Sequence, residues 1–341
     1  MKLLARIACL SLIILAGCGK NRPEGSSAAV GAGTTVPVGG TGVAPTGGNV
    51  SLVEARKGFK TKLVKQAPPK EPVDVPPPNV FSLVKYDSPV GPLAAYLTPD
   101  PKNGKKQPAI VWITGGDCNS IGDVWSAPKA GEDDQSAADY RQAGMIMMFP
   151  SLRGGNDNPG VREGFLGEVD DVLAATDYLA KLPYVDPDRI YLGGHSTGGT
   201  LVLLVAESTP RFRAVFSFGP ADNVAKYGSD NVFTPFDSTK NKEFELRSPI
   251  KWLEGVTSPT FVFEGTNGGN TDALIAMSRA TKNPKLLFIP VRGATHFSVL
   301  APMNRKIAQK IVNDAGPQCN IAFTSEEVNP KGKVIPKKKL R

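Results

Sequence analysis

From Val80 onward, short, largely apolar runs alternate with stretches whose apolar residues recur every three or four positions. The runs cover residues 81–86, 93–97, 109–113, 145–149, 189–192, 214–218, 260–263 and 286–289. Runs this short and this apolar predict strands, and the later ones read as buried on both faces. The first two, joined through Ser88-Pro89-Val90-Gly91, predict an antiparallel pair. Between residues 163 and 181, Phe165, Val169, Val172, Leu173, Thr176 and Leu179 fall at helical spacing, with Glu168, Asp170, Asp171 and Asp177 largely on other faces. Residues 200–206 are apolar all round, which predicts a helix buried against the centre of a sheet. Strand–helix–strand alternation of this length implies an α/β fold, a mostly parallel sheet with helices on both faces. Such sheets bind ligands beyond the carboxyl ends of their strands.

The N-terminal part follows different rules. Lys2 and Arg6 are basic, and residues 7–15 form an apolar run too short to remain as a spanning helix. The run ends in Leu15-Ala16-Gly17-Cys18, which resembles the bacterial lipobox. In that motif small residues admit the signal peptidase and the cysteine thiol takes a diacylglycerol. Residues 19–49 are mostly Gly, Ser, Thr, Pro and Ala and cannot bury a core, so they read as a flexible tether. Residues 67–78 are Pro-rich and read as an extended arm. The expected organisation is a signal peptide over 1–17, a lipidated Cys18 and linker over 18–50, an arm over 51–79, the α/β domain over 80–324 and a basic tail over 325–341. This places the protein in a bacterial envelope, on a membrane through its lipid. Gly19 carries no inner-membrane retention charge, which favours the outer membrane and its periplasmic face.

Composition adds little to that picture. The 341 residues carry a formal charge of +8; removing Lys2 and Arg6 leaves +6, and part of the remainder lies between Lys331 and Arg341. Such a tail reads as a solvated end or a contact for acidic lipids. No basic–aromatic interleaving points to nucleic acid. Of four cysteines, Cys9 leaves with the signal peptide and Cys18 carries the lipid. Cys118 and Cys319 remain as a possible disulfide in an oxidising compartment.

The chemistry centres on Gly194-His195-Ser196-Thr197-Gly198. An apolar strand runs into it and a helix runs out, the setting in which G-x-S-x-G forms a tight elbow presenting a serine. Gly194 and Gly198 supply the small residues such a turn requires, and the N–H of Thr197 can donate to an oxyanion. The chain has two histidines. His195 lies inside the elbow, where its side chain should point away from the nucleophile. That leaves His296, in Gly293-Ala294-Thr295-His296 after the last strand, as the base. The loop after residues 109–113 reads Thr114-Gly115-Gly116-Asp117-Cys118, and the N–H of Gly116 or Asp117 is the expected second oxyanion donor.

Several further segments recur with these: Ile113-Thr114-Gly115-Gly116, Pro150-Ser151-Leu152-Arg153-Gly154, Gly167-Glu168-Val169-Asp170-Asp171 and Val185-Asp186-Pro187-Asp188-Arg189-Ile190. From about residue 80 to 315 the chain resembles the catalytic domain of the prolyl oligopeptidase family, α/β-hydrolases that include dipeptidyl and acylaminoacyl peptidases. The resemblance implies a serine peptidase working through an acyl-enzyme, without metal or organic cofactor. It also implies structural roles for Arg153, Asp170 and Asp171. Those enzymes carry a β-propeller that restricts access, and the stretch between tether and domain is too short for one. Small-ester hydrolysis or acyl transfer therefore stands beside peptide cleavage, and a non-catalytic envelope-binding lipoprotein is the rival from another class. Residues 222–253 read either as a cap over the site or as a surface excursion. The family pattern places an acid about three residues after a glycine in the loop 264–272, and here that position is Gly268. Asp272 is taken as the acid on the expectation that Gly268-Gly269 extends the loop; Glu264, Asp222 and Asn267 or Asn270 are the alternatives.

Overall fold

A computed structural model of the chain describes residues 50–66, 71–126, 133–228 and 233–330. Cys18, the signal peptide, nearly all of the tether and residues 331–341 lie outside the described residues.

Eight strands form one sheet: β1 (Ser82–Ser88), β2 (Gly91–Leu97), β3 (Gln107–Ile113), β4 (Ile146–Pro150), β5 (Val185–His195), β6 (Val215–Phe218), β7 (Thr260–Gly265) and β8 (Leu286–Val291). Their spatial order is β1-β2-β4-β3-β5-β6-β7-β8. β1 and β2 form the expected antiparallel hairpin, β2 runs antiparallel to β4, and every later pair is parallel. The helices are α1 (Leu52–Arg56), α2 (Ala138–Gln142), α3 (Glu168–Ala180), α4 (Thr197–Ala206), α5 (Asn241–Glu245), α6 (Thr271–Ala280), α7 (Leu300–Asn313) and α8 (Ser325–Val328).

Strand alternation sorts the core into two layers. Ala109, Val111 and Ile113 of β3 face a cluster that includes Val169 and Val172 of α3 and Leu201 to Ala206 of α4. Ile110 and Trp112 face the other way, with Tyr140 of α2 and Met303, Ile307 and Ile311 of α7. Every residue of α4 is buried, as its uniform apolarity requires. The central sheet thus separates Cys118, in the first layer, from Cys319, packed against the second. Both thiols are free, so the possible disulfide between them is not formed: the two residues are on opposite sides of the sheet.

Two peripheral segments hold the core loops in place. The arm opens with α1, capped by Ser51, and Arg56 reaches the Leu166 carbonyl at 2.6 Å and Asp170 at 3.3 Å. Further on, Leu63 bridges Phe236, and the N–H groups of Val64 and Lys65 both donate to the Pro235 carbonyl. Arg247, fully buried, stacks on Phe236 and bonds Glu243 and Thr61. Arm and excursion are therefore stitched together. At the other end, residues expected to begin a free tail form α8 instead. Val328 is buried, and Asn329 accepts from the N–H of Arg292 and donates to the Pro290 carbonyl.

Candidate active site

Ser196 sits between the end of β5 and the start of α4 with φ 54° and ψ −113°, a conformation that residues with a Cβ rarely adopt. Its N–H donates to the Phe218 carbonyl at 2.7 Å, which fixes the turn to β6. Steric exclusion explains the flanking glycines. A Cβ on Gly194 would sit 2.7 Å from the Gly198 carbonyl oxygen, and one on Gly198 would overlap the Ile113 carbonyl. The elbow is thus pressed against β3 and can form only where both positions lack side chains.

The loop after β3 is bound to the elbow. Thr197 Oγ1 donates to the Gly116 carbonyl at 2.8 Å. Gly115 N–H is occupied by Gln135 Oε1 at 2.8 Å. Among the described residues, the N–H groups of Thr197 and Gly116 have no protein acceptor. Thr197 also opens α4, where the helix dipole favours negative charge. The Asp117 carboxylate is clamped by the buried guanidinium of Arg162, with one contact at 2.9 Å.

His296 stands after β8. Its Nδ1 lies 2.9 Å from Glu264 Oε2. Glu264 ends β7 with 1% exposure, and its carboxylate also accepts from Gly265 N–H at 2.7 Å and Asn270 N–H at 2.9 Å. A carboxylate can only accept, so Nδ1 carries the proton and Nε2 is left as the basic nitrogen. Asp272, the expected acid, is instead exposed in the first turn of α6, and the carboxylate the structure places at His296 is that of Glu264. The physical reason lies in the two glycines. Gly268 and Gly269 take positive φ and fold the loop back, bringing Asn270 to Glu264 rather than carrying Asp272 toward His296. The room is made by missing side chains: a Cβ on Gly269 would stand 2.8 Å from the His296 Cβ, and one on Gly219 would overlap the imidazole. Asp222 is paired with Lys226 instead.

Ser196 Oγ and His296 Nε2 make no hydrogen bond to a described residue. Catalytic hydrogen bonds are commonly long in free enzymes and tighten on substrate. The imidazoles of His195 and His296 lie 4.6 Å apart, with half-exposed Phe297 against both. His195 is buried, and burial, followed by the neighbouring His296, pushes its pKa down to about 3. Behind the elbow, Thr200 Oγ1 lies 2.8 Å from the Tyr227 hydroxyl, and Tyr227 packs with Phe165 and Phe233. Residues 222–253 therefore contribute an aromatic wall next to the nucleophile's helix. Cys118 is buried beneath the loop after β3, and burial pushes its thiol up to about 12, which keeps it a neutral packing group. Arg153 and Asp171 form a buried bidentate pair that holds the β4 loop to α3, and Asp170 meets Arg56 of the arm. Among the described residues, no group of three or more His, Cys, Asp or Glu is placed to hold a metal ion.

The model of the prolyl oligopeptidase family matches residues 134–299, which hold Ser196, Glu264 and His296. Dipeptidyl-peptidase 5 of Porphyromonas gingivalis is 26% identical over 191 residues, 50% of this chain and 27% of that protein. The acylamino-acid-releasing enzyme of Arabidopsis thaliana is 28% identical over 184 residues, 48% of this chain and 24% of that protein. The chain spans about a quarter of the length of these curated relatives. Among solved structures, dipeptidyl peptidase 4 of Porphyromonas gingivalis superposes with a TM-score of 0.57 at 16% identity, covering 69% of this chain and 35% of that one. The fold is α/β-hydrolase-like, and the family match with its peptidase relatives points to a serine hydrolase.

Proposed function

Starting from a chain that carries a prolyl oligopeptidase family domain, we propose that it cleaves acyl bonds of peptides, and of small esters, through an acyl-enzyme on Ser196. The observation that carries this reading is the buried Glu264 carboxylate held 2.9 Å from Nδ1 of His296, beside a serine on a constrained elbow. Glu264 holds the imidazole in the tautomer whose Nε2 can take the Ser196 proton. Ser196 Oγ then attacks the carbonyl, and the oxyanion is met by the N–H of Thr197 and that of Gly116 or Asp117. His296 returns the proton to the leaving amine or alcohol, and water releases the acyl group by the reverse sequence.

A panel of aminoacyl p-nitroanilides and p-nitrophenyl esters tests the substrate class. The reading expects turnover of aminoacyl amides. Turnover of esters alone would reassign the enzyme as a carboxylesterase. Leu15-Ala16-Gly17-Cys18 supports a lipid anchor that holds the hydrolase at an envelope membrane. Cys18→Ala should then release it without detergent, and recovery of a lipidated peptide from that variant would contradict the anchor.

A further inference from the structure

His195 has no chemical task in the sequence pattern, and Gln135 belongs to no motif. The structure places both at the centre of one hydrogen-bond chain. Gly115 N–H donates to Gln135 Oε1 at 2.8 Å. An N–H can only donate, so this contact fixes which end of the Gln135 amide is oxygen. The other end, Nε2, meets Asp133 Oδ1 at 2.6 Å and His195 Nδ1 at 2.6 Å. Its two hydrogens are thereby assigned, and His195 Nδ1 must accept. The proton of the neutral ring then resides on Nε2, which lies 3.0 Å from the main-chain carbonyl of His296. A carbonyl can only accept, so the last link has the correct polarity as well. Each group in the chain is satisfied in one arrangement only.

We infer that Gln135 and His195 are positioning residues, locking the oxyanion loop, the nucleophile elbow and the histidine loop in one register. The inference rests on the proposed reaction at Ser196, but it assigns a task that the Ser196–His296–Glu264 set does not contain. The chain runs from the peptide of Gly115, next to the oxyanion donor Gly116, through the residue preceding Ser196, to the backbone of the general base. Those three segments belong to different βα loops; Thr197 Oγ1 ties the first two through the Gly116 carbonyl, and the chain through Gln135 and His195 adds a link of fixed polarity that reaches the third as well. Close packing supports it: a Cβ on Gly115 would stand 2.7 Å from His195 Nδ1 and 3.2 Å from Ser196 Cβ. Burial of the His195 ring favours the neutral form the chain requires. Displacing loops that hold reacting groups by about 1 Å can cost on the order of 100-fold in rate.

The test uses the fact that the chain contains only two histidines. In full-length protein with ¹⁵N-labelled imidazoles at neutral pH, His195 should give the spectrum of the Nε2–H tautomer and His296 that of the Nδ1–H tautomer. Gln135→Glu keeps an acceptor for Gly115 N–H but turns a second acceptor toward His195 Nδ1, so His195 should lose the pure Nε2–H signature. Gln135→Leu removes both links. Both variants should lower kcat about 10- to 100-fold with KM within about twofold, beside the few degrees of melting temperature that lost hydrogen bonds cost. A packing role alone would move the melting temperature and leave the tautomer as it is. Finding His195 as the Nδ1–H tautomer in the native protein, or a native kcat in Gln135→Leu, would overturn the inference. Failure of the hydrolase reading would show separately, as turnover that survives Ser196→Ala.

Discussion

Two strand–loop–helix junctions build this site; both need glycines for room, but they differ in what else fixes them. The β5–α4 elbow is buried on both sides and defined by exclusion: Gly194 and Gly198 lie where any Cβ would meet backbone. The β7–α6 junction is exposed from Thr266 to Gly269 and is defined by attraction. There, one buried carboxylate gathers the N–H groups of Gly265 and Asn270 and the ring of His296. The acid loop has its shape because of what Glu264 binds.

The sharpest way to break this contrast is to alter the carboxylate. Glu264→Gln keeps the volume but can turn an N–H toward His296 Nδ1, favouring the wrong tautomer. kcat should fall on the order of 1,000- to 10,000-fold. Asp272→Asn, at the exposed end of the same loop, should leave kcat within about twofold. Steady-state kinetics of the two variants checks both, and the reverse ranking would return the acid to Asp272.

A smaller effect is expected at the far end of the elbow helix. Glu207 follows α4, is 2% exposed, and neither carboxylate oxygen has a hydrogen-bond partner among the described residues. Burial alone raises its pKa well above the usual carboxylate value. A folded-state pKa above the unfolded one gives stability that is full below the unfolded value, about 4.3, and is lost as pH rises through the folded value. Glu207→Met should therefore raise the melting temperature at pH 8, by a few degrees for the ~1–3 kcal/mol that an unpartnered buried group costs. The gain should shrink toward pH 4. Calorimetry at the two pH values checks this, and a variant less stable at pH 8 would show that Glu207 has a partner in solution.

The same contrast explains what was legible in the sequence. Strands β3, β4 and β7 are marked by near-continuous apolar runs and α4 by apolarity on every side, because burial writes itself into composition; β1, largely exposed, is legible only as the partner of β2 across a turn. The elbow was legible because glycines at fixed spacing record a steric demand. The acid was not, because Glu264 reads as the last residue of an ordinary strand. Only the positive φ of Gly268 and Gly269, invisible in composition, tells that the loop folds back to it. A count of cysteines leaves a Cys118–Cys319 pair possible, and the sheet that separates them has no signature in a count. The start of the C-terminal tail was drawn too early because the basic charge beyond Lys331 overshadowed the docking of Val328 and Asn329. Gln135 carried no motif at all; its task arises from where three separate loops meet.

The central claim is that Ser196, activated by His296 and held to account by Glu264, is the nucleophile. Fluorophosphonate labelling of the full-length protein, followed by peptide mapping, tests it most directly. The account predicts a single adduct on Ser196, lost in Ser196→Ala and formed far more slowly in Glu264→Gln. An adduct on another residue, or undiminished labelling of Ser196→Ala, would contradict it.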